Sequence, residues 1–361
     1  MKLNIVKIID ELVSANASDL HLVAGNPPMI RVHGVLKAAP GYDVLTSEDI
    51  EQALQVIVPE VMLAKFREEQ ELDIGVTIGD GYRLRINVYV QQNSTAAAIR
   101  LLPNAFFPLE ELGLNTTLLK QIVTMHSGLV LVTGATGSGK STTIASIVNE
   151  INATRACHIH TIEDPIEYQH ISKMALVTQR EVGRDTASFA EALRRSLRED
   201  PDVVVVGEMR DLETTTAALA LAETGHLTFA TLHTSDAVQT VSRVISQFPA
   251  AQQAQVTIQL ASTLRYVICQ QLVPWDNKQG RSLAAEILTV TPAVRALIRD
   301  GRTHQIRNAI QTGQADGMQT MEQALESLIA KRLLSKKTAV EFCNDPVALL
   351  KEPGLTPTTQ F

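Results

Sequence analysis

The sequence lacks the features that mark several specialised classes of protein. Its three cysteines, Cys157, Cys269 and Cys343, are far apart and form no Cys-x-x-Cys pair, so we predict neither a structural zinc site nor a disulfide framework. No apolar run approaches the roughly 18 to 20 residues that span a bilayer. There is no internal repeat and no low-complexity tract. A globular chain of 361 residues is long enough for two or more domains.

An excess of positive charge and a rich supply of aromatic residues are also missing. The formal net charge is −7, the pI is about 5.8 and aromatic residues make up 4% of the chain. A protein that coats DNA is expected to be basic, and a motor on single strands needs a basic strip studded with aromatic side chains. We therefore predict no nucleic-acid partner, although net charge and aromatic content of the whole chain do not exclude a local basic groove.

The N-terminal segment is predicted to be an amphipathic helix. Asp10 and Glu11 interrupt its apolar stretch, which a secretory signal does not allow, so we expect a cytoplasmic protein. The apolar residues that recur at helical spacing are Leu3, Val6, Ile9 and Val13.

Residues 1–102 are predicted to form a small α/β domain. The segment from Asp19 to His33 offers two short strands around a Gly-Asn-Pro-Pro turn, and Ser47 is the expected N-cap of the next helix. The segment YRLRINVYVQQNSTAAAIRLL alternates polar and apolar residues, which predicts a hairpin of two strands. Residues 103–115 contain Pro103 and Pro108 and are predicted to be a linker.

The pattern changes in residues 116–361. Wholly apolar strands, LVLVT, HIHTI, VVVVG and LTFATL, alternate with helices, which predicts a parallel sheet covered on both faces. The chain after about Val290 is predicted to be mostly helical. One of these helices has a single apolar face, formed by Met321, Leu325, Leu328 and Ile329.

The stretch GLVLVTGATGSGKSTT fits the phosphate-loop pattern G-x-x-x-x-G-K-[ST] in full, with an apolar strand before it and a helix after it. Glycines let main-chain N–H groups turn towards an anion, and the helix adds its positive N-terminal end. Lys140 is expected to reach the β- and γ-phosphates, Ser141 to ligate Mg²⁺ and Thr142 to assist at the α-phosphate. The predicted nucleotide-binding residues of this loop are Gly134, Ala135, Thr136, Gly137, Ser138, Gly139, Lys140, Ser141 and Thr142.

Hydrolysis of a nucleotide also needs carboxylates, and acidic residues follow two of the apolar strands. Glu208 comes after VVVVG, and Glu163 and Asp164 come after HIHTI. Because the carboxyl ends of such strands lie beside the phosphate loop, either acid could hold Mg²⁺ through water or polarise the attacking water. Two acidic strand ends exceed what Mg²⁺ binding requires, so one of them is expected to orient the water.

Histidines and arginines supply further candidates. His233 follows the strand LTFATL, where a side chain could sense the γ-phosphate, and His226 precedes that strand. Phosphoryl transfer gains from a cation supplied by a neighbouring subunit, and the residues alone do not choose which arginine supplies it. The candidates are Arg83, Arg85 and Arg100 in the first domain and Arg194, Arg195 and Arg198 on the helix before VVVVG.

Together and in this order, these blocks resemble the secretion-type ATPase superfamily and, within it, the PilT branch of type IV pilus retraction motors. The resemblance covers nearly the whole chain. It implies an α/β fold with a PAS-like N-terminal domain and a RecA-like P-loop NTPase domain that ends in a helical tail. The matching stretches are ASDLHLVAGNPPMIRVHG, the phosphate loop, TIEDPIEY (the Asp box), LREDPDVVVVGEMRDLET (the Walker B region) and AETGHLTFATLHTSDA (the His box).

The resemblance also implies an activity, partners and residue roles. The activity is hydrolysis of ATP with Mg²⁺ by a homohexamer, which powers pilus retraction and twitching motility. The expected partners are an inner-membrane pilus platform protein and a paralogous retraction ATPase, at the inner face of the cytoplasmic membrane. The implied site comprises Lys140 and Ser141 (Walker A), Glu163 (catalytic glutamate), Glu208 (Walker B), His226 and His233 (His box), and the arginines Arg83, Arg85 and Arg100 near the phosphates.

Two features separate the relatives. Pilus extension motors and type II secretion ATPases usually carry a four-cysteine metal site and a longer N-terminal region, and both are missing here, which favours retraction. The retraction-linked motif AIRNLI keeps Arg295, Leu297 and Ile298 but has Val294 and Ala296 in place of isoleucine and asparagine. These departures and the stretch QQLVPWDNKQGR leave an accessory retraction paralogue, PilU, as an alternative, and an assembly-type secretion ATPase as another.

Overall fold

The computed structural model describes residues 3–32, 34–79, 81–102, 105–276 and 280–350, and these form two compact units. The first unit comprises Met1–Phe106 and Pro165–Gln169, and the second comprises Phe107–Asp164 and His170–Phe361. Residues 103 and 104 of the predicted linker and 351–361 of the predicted tail lie outside the described residues, so the domain bounds stay a prediction. Within the described ranges, no helix is long and apolar enough to cross a bilayer.

The first unit is a six-stranded antiparallel sheet with three helices, in the strand order β3-β2-β1-β6-β5-β4. Alternate residues of its strands are buried, such as Leu84, Ile86 and Val88, because one face of the sheet packs on the helices. The predicted hairpin is confirmed as the last two strands. The elements are α1 (Ile5–Ser14), β1 (Ala17–Val23), β2 (Met29–Val32), β3 (Val35–Ala38), α2 (Ser47–Ile57), α3 (Glu60–Glu69), β4 (Glu71–Ile78), β5 (Tyr82–Gln91) and β6 (Ser94–Leu101).

Two details of this unit differ from the prediction. The predicted amphipathic helix is confirmed, but its apolar face was predicted only in part, because Ile9 is buried whereas Val6 is 41% exposed. The helical spacing also fits a second set of apolar residues, and the bulkier side chains of that set are the buried ones. The N-cap of α2 is Thr46, whose hydroxyl accepts from Asp49 N, whereas Ser47 is the first helical residue. The buried face of α1 consists of Ile5, Ile8, Ile9 and Leu12.

The second unit contains a seven-stranded sheet in the order β13-β12-β7-β11-β10-β8-β9. Its pairs are parallel except for β12 with β13, which is antiparallel and was not predicted. The strands are β7 (Gly128–Thr133), β8 (His158–Glu163), β9 (Leu176–Glu181), β10 (Val203–Val206), β11 (Leu227–Leu232), β12 (Leu264–Pro274) and β13 (Arg281–Thr289). The helices are α4 (Thr116–Thr124), α5 (Lys140–Thr154), α6 (Phe189–Ser196), α7 (Leu212–Glu223), α8 (Ala237–Ser246), α9 (Ala250–Thr263), α10 (Pro292–Arg299), α11 (Ile306–Thr312), α12 (Met321–Ala330), α13 (Lys336–Phe342) and α14 (Pro346–Leu350).

Both faces of this sheet are covered, as the continuous apolar strands predicted. Val204 and Val206 of β10 belong to one buried cluster, whereas Val203 and Val205 belong to another. Because successive side chains of a strand point to opposite faces, the two clusters lie on opposite sides of the sheet. The predicted α/β class is therefore confirmed, and so is the parallel sheet apart from the antiparallel pair β12–β13.

The helical end of the second unit also follows the prediction. A capping box begins α12, in which Thr320 and Gln323 each bond the main chain of the other. Met321, Leu325 and Leu328 are buried on one face of this helix, and Ile329 packs beside them while partly exposed. This face anchors the C-terminal helices to the rest of the unit.

Candidate nucleotide site

The loop between β7 and α5 has the backbone that a phosphate loop needs. All six residues of β7 are buried, and the chain leaves the strand through Gly134 with φ of +138°. A Cβ at Gly134 would lie 2.3 Å from the Gln270 carbonyl oxygen and 2.6 Å from Ser138 Oγ, so only glycine fits. Gly139, with φ of +91°, caps the N-terminus of α5 in the left-handed region.

The polar groups of the loop fit an anionic ligand. Lys140 Nζ donates to the carbonyl oxygens of Gly134 at 2.7 Å and Ala135 at 3.0 Å, which holds the ammonium over the loop. Ser138 Oγ is buried and has no hydrogen-bond partner among the described residues. A buried hydroxyl of that kind needs a partner, and the N-terminus of α5 supplies positive potential beside it. The loop, Gly134 to Thr142, is therefore suited to phosphate.

The predicted acids and one predicted histidine lie at the same edge of the sheet as the loop. The strands β7, β11, β10 and β8 are neighbours in that order and run parallel. Their carboxyl ends lead to Gly134, His233, Glu208 and Glu163, respectively. Neighbouring strands are about 4.8 Å apart, so His233, Glu208 and Glu163 lie one, two and three strands away from the loop.

Glu208 is held by two donors. His233 Nε2 lies 2.9 Å and Arg210 Nε 2.7 Å from Glu208 Oε1, and the Glu208 side chain is 17% exposed. Burial raises the pKa of Glu208, but the Arg210 guanidinium and the His233 imidazole outweigh burial and hold that pKa below its usual range. Glu208 is therefore ionised near neutral pH. Arg210 was missed in the sequence, although it stands two residues after Glu208.

Glu163 is oriented by two other side chains. Thr161 Oγ1 donates to Glu163 Oε1 at 2.7 Å, and Gln179 Nε2 donates to the same oxygen at 3.2 Å. Thr161 is two residues earlier on β8 and so points to the same face. Gln179 lies on β9, and no motif in the sequence marks it. These two donors fix one oxygen of the carboxylate that the sequence resemblance assigned to catalysis.

The structure does not bring His226 to the loop of its own chain. His226 precedes β11, where its Nδ1 lies 3.0 Å from both the Leu221 carbonyl oxygen and Thr224 Oγ1. The strand of six residues separates it from the loop edge by about 20 Å. A role for His226 in binding the same chain's nucleotide is not supported by this geometry.

The three predicted arginines of the first unit, Arg83, Arg85 and Arg100, have partners within that unit. Arg83 is 5% exposed and its Nε donates to the Ile166 carbonyl oxygen at 3.1 Å. Arg85 and Arg100 are opposite each other on β5 and β6. Arg85 pairs with Asp73 at 2.5 Å and Arg100 with Asp19 at 2.8 Å. Their predicted approach to phosphates stays a prediction.

A buried parallel strand, a glycine loop with its lysine, and acidic strand ends at one edge define a P-loop nucleoside triphosphatase with a RecA-like core. The family described as "Type II/IV secretion system protein" matches residues 1–333, and the chain belongs to this family.

Comparison with individual proteins adds to this family assignment. The chain is 44% identical over 344 residues to the type IV pilus retraction ATPase PilT of Pseudomonas aeruginosa, covering 95% of this chain and 99% of the relative. It is 37% identical over 334 residues to the type IV pilus ATPase PilU of the same organism, covering 92% and 87%. A crystal structure of the pilus retraction motor PilT with bound ADP superposes with a TM-score of 0.89 at 43% identity, covering 96% of this chain and 99% of that one.

Proposed function

We propose that the protein is a Mg²⁺-dependent ATPase that works as a homohexameric ring and powers retraction of a type IV pilus, and with it twitching motility. One observation carries this proposal: Glu163, Glu208 and His233 lie at the edge of the sheet that holds the phosphate loop, in a chain 44% identical to PilT. A ring that binds nucleotide without hydrolysing it would not need an oriented carboxylate, Glu163, in addition to Glu208, the acid proposed to hold Mg²⁺.

The residues of the loop bind and orient the nucleotide. The loop main chain and Ser138 contact phosphate oxygens, and Lys140 moves from the loop carbonyls to the β- and γ-phosphates. Thr142 assists at the α-phosphate. Mg²⁺, when bound, neutralises charge on the phosphates, and the Ser141 hydroxyl and the ionised Glu208, through water, would hold it.

Glu163 acts on the attacking water. Its carboxylate accepts a hydrogen bond from that water and takes the proton as the water attacks the γ-phosphorus. Thr161 and Gln179 hold Oε1 in place. The carboxylate of the base is therefore preorganised before the nucleotide binds. Lys140 stabilises negative charge on the leaving phosphate oxygen.

His233 follows β11, the strand next to the one that leads into the phosphate loop, and its imidazole bonds Glu208. It therefore connects the proposed Mg²⁺ acid to that strand. In a ring, an arginine of the neighbouring subunit would add positive charge at the γ-phosphate. Exposure favours Arg100, whose side chain is 60% exposed, and Arg85, at 37%, over the buried Arg83. His226 could act only at a neighbour's site.

The proposed load is a pilus platform protein in the inner membrane, and the proposed location is the inner face of the cytoplasmic membrane. The alternative is an accessory retraction ATPase that works with a paralogue. The 37% identity to PilU and the altered motif at residues 293–298 support this alternative.

Two experiments test the proposal. The purified chain is expected to hydrolyse ATP, and Lys140→Ala is expected to lose both nucleotide binding and turnover; equal rates for the two would overturn the site. Deleting the gene is expected to leave extended pili that do not retract, and the wild-type gene, but not Glu163→Gln, should restore retraction. Turnover only after a paralogue is added would favour the accessory reading.

A further inference from the structure

A buried carboxyl group lies close to the site without a part in the reaction described above. Glu286 on β13 is 5% exposed. It is paired with Cys269 of β12, and Cys269 is paired with Thr133, the last residue of β7. Paired residues of neighbouring strands point to the same face. One row of side chains therefore runs from Glu286 to the residue that precedes the phosphate loop.

The carboxyl group of Glu286 caps a helix that is distant in sequence. Its Oε1 accepts from Ala237 N, the first residue of α8, at 2.8 Å. The first main-chain N–H groups of a helix have no partner within the helix. Asp236 satisfies Gln239 N locally at 2.7 Å, whereas Glu286 reaches the helix from the sheet. The first turn of α8 is thus fixed to β13.

The same turn supports His233. Only three residues separate His233 from Ala237, the first residue of α8. Thr240 Oγ1 donates to the Asp236 carbonyl oxygen at 2.7 Å and lies 2.7 Å from Thr234 Oγ1, so the short loop is tied to the turn. A displacement of this turn would therefore move His233 relative to Glu208.

The charged and titratable groups around Glu286 come from four elements. Asp236 is the N-cap that precedes α8, Arg307 belongs to α11, Glu322 to α12 and Cys269 to β12. Burial raises the pKa of Glu286 to about 7; the Asp236 and Glu322 carboxylates add to the rise, whereas the Ala237 N–H group and Arg307 oppose it. A purely structural cap does not need a buried acid, since an uncharged acceptor serves helix N-termini equally well.

We propose that Glu286 is a positioning residue for ATP hydrolysis, which holds the first turn of α8 so that His233 stays against Glu208. The inference rests on the proposed function but concerns a residue that does not contact the nucleotide. Glu286 acts through α8 and His233, so its loss should slow turnover without weakening nucleotide binding.

The test compares kcat and KM for ATP in the full chain. Glu286→Ala is expected to lower kcat at least tenfold and to change KM by about twofold or less. Glu286→Gln keeps an acceptor for Ala237 N and should restore most of kcat at pH 6. A carboxylate accepts more strongly than the neutral acid, so wild-type kcat should rise with pH through about 7, and Glu286→Gln should lack this rise.

Glu322 provides a matched control. It is another buried carboxyl, 6% exposed, and its Oε1 accepts from Asn344 N at 3.0 Å and Asp345 N at 2.8 Å. At about pH 8.5, where Glu286 is ionised with or without Glu322, Glu322→Ala should lower the melting temperature about as much as Glu286→Ala. It should leave kcat within about twofold of wild type. An equal loss of kcat in both variants would show that general destabilisation is responsible, and the proposal would be wrong.

A double variant tests the route through His233. If Glu286 acts by placing His233, then Glu286→Ala should cause no further loss of kcat in a His233→Ala background. Independent, multiplying losses would overturn the proposal, as would wild-type kcat in Glu286→Ala. Neither outcome touches the proposed function, which fails instead if the wild-type chain and Lys140→Ala hydrolyse ATP equally.

Discussion

His233 Nε2 lies 2.9 Å from Glu208 Oε1, so the histidine after β11 and the acid after β10 form one unit across two neighbouring strands. Arg210 Nε lies 2.7 Å from the same carboxylate oxygen. The three side chains connect the strand beside the phosphate loop to the acid that is proposed to hold Mg²⁺. A displacement of the end of β11 would therefore also displace the Glu208 side chain at the end of β10.

Replacing the histidine should slow hydrolysis without abolishing binding. His233→Ala removes one of the two donors to Glu208, and we expect kcat to fall about 10- to 100-fold. ADP affinity, measured by calorimetry, should change by about twofold or less, because the loop is intact. The exposed His126→Ala is the control and should keep wild-type kcat; unchanged kcat in His233→Ala would rule out the link.

Glu163→Gln should have a larger effect than the histidine variant. The amide is nearly the same size and can keep both hydrogen bonds at Oε1, but it cannot take a proton from water. We expect kcat to fall by 100-fold or more, to about 1% of wild type or less, with nucleotide binding retained. Glu181 ends β9 opposite Glu163, so Glu181→Gln is the matched control. If both variants hydrolyse ATP equally well, Glu163 is not the base.

Gly134→Ala should disrupt the phosphate loop through a steric clash. The new Cβ would lie 2.3 Å from the Gln270 carbonyl oxygen, which belongs to a buried strand and cannot move aside easily. We expect loss of nucleotide binding and a decrease of about 3 kcal/mol or more in the free energy of unfolding.

Gly225→Ala is the control that measures the cost of backbone strain without the steric clash expected in Gly134→Ala. Gly225 has φ of +103°, and nothing lies within 4 Å of a Cβ there. We therefore expect only the strain cost of about 1–2 kcal/mol, measured by urea denaturation. Similar losses for the two variants would show that the close approach at Gly134 is unimportant.

The stability of the second unit should decrease in mild acid because of His160. This residue is fully buried, and its Nδ1 lies 3.0 Å from Glu199 Oε2 and 3.1 Å from Ser196 Oγ. Burial lowers the pKa of His160 although Glu199 opposes the shift. The unfolded chain therefore binds the extra proton first, and the free energy of unfolding should fall as the pH drops below about 6.5.

The size of this effect is expected to be about 1–2 kcal/mol. His160→Gln should reduce the pH dependence below 6.5 in urea denaturation, and the remainder is expected from His170, whose pKa burial also lowers to about 4. The exposed His304→Gln should leave the dependence unchanged. A steep acid dependence that survives in His160→Gln would assign the effect to other groups.

The central strands could be predicted because burial on both faces leaves a continuous apolar signature. The runs before Gly134, Glu208 and His233 are all strands at the centre of the sheet. The edge strand β9 reads LVTQRE, in which four of six residues are polar, so no apolar run marked it, and Gln179 was missed with it. The buried face of α1 was predicted only in part, because two overlapping sets of apolar residues, which share Ile9, fit the same helical period.

The chemistry of the site was predictable only where a motif fixes the backbone. Lys140 and Ser141 follow from the loop pattern, and the acids follow from the strands that precede them. Arg210 and Thr161 orient these acids through side-chain contacts, and the sequence alone cannot decide which polar neighbour makes such a contact. Glu286 was also missed, because its partner on α8 is 49 residues away.

The short segment Pro165–Gln169 has a consequence for how the chain can be cut. It folds with the first unit, where Ile166 accepts from Arg83 and the rings of Tyr168 and Phe106 lie 5.6 Å apart. Glu163 is only two residues before Pro165. A fragment that begins at residue 107 would lack these partners, so a single cleavage between residues 106 and 107 leaves Pro165–Gln169 on a different fragment from the rest of its unit. The first unit is tethered by covalent bonds to the end of the strand that carries the proposed catalytic base.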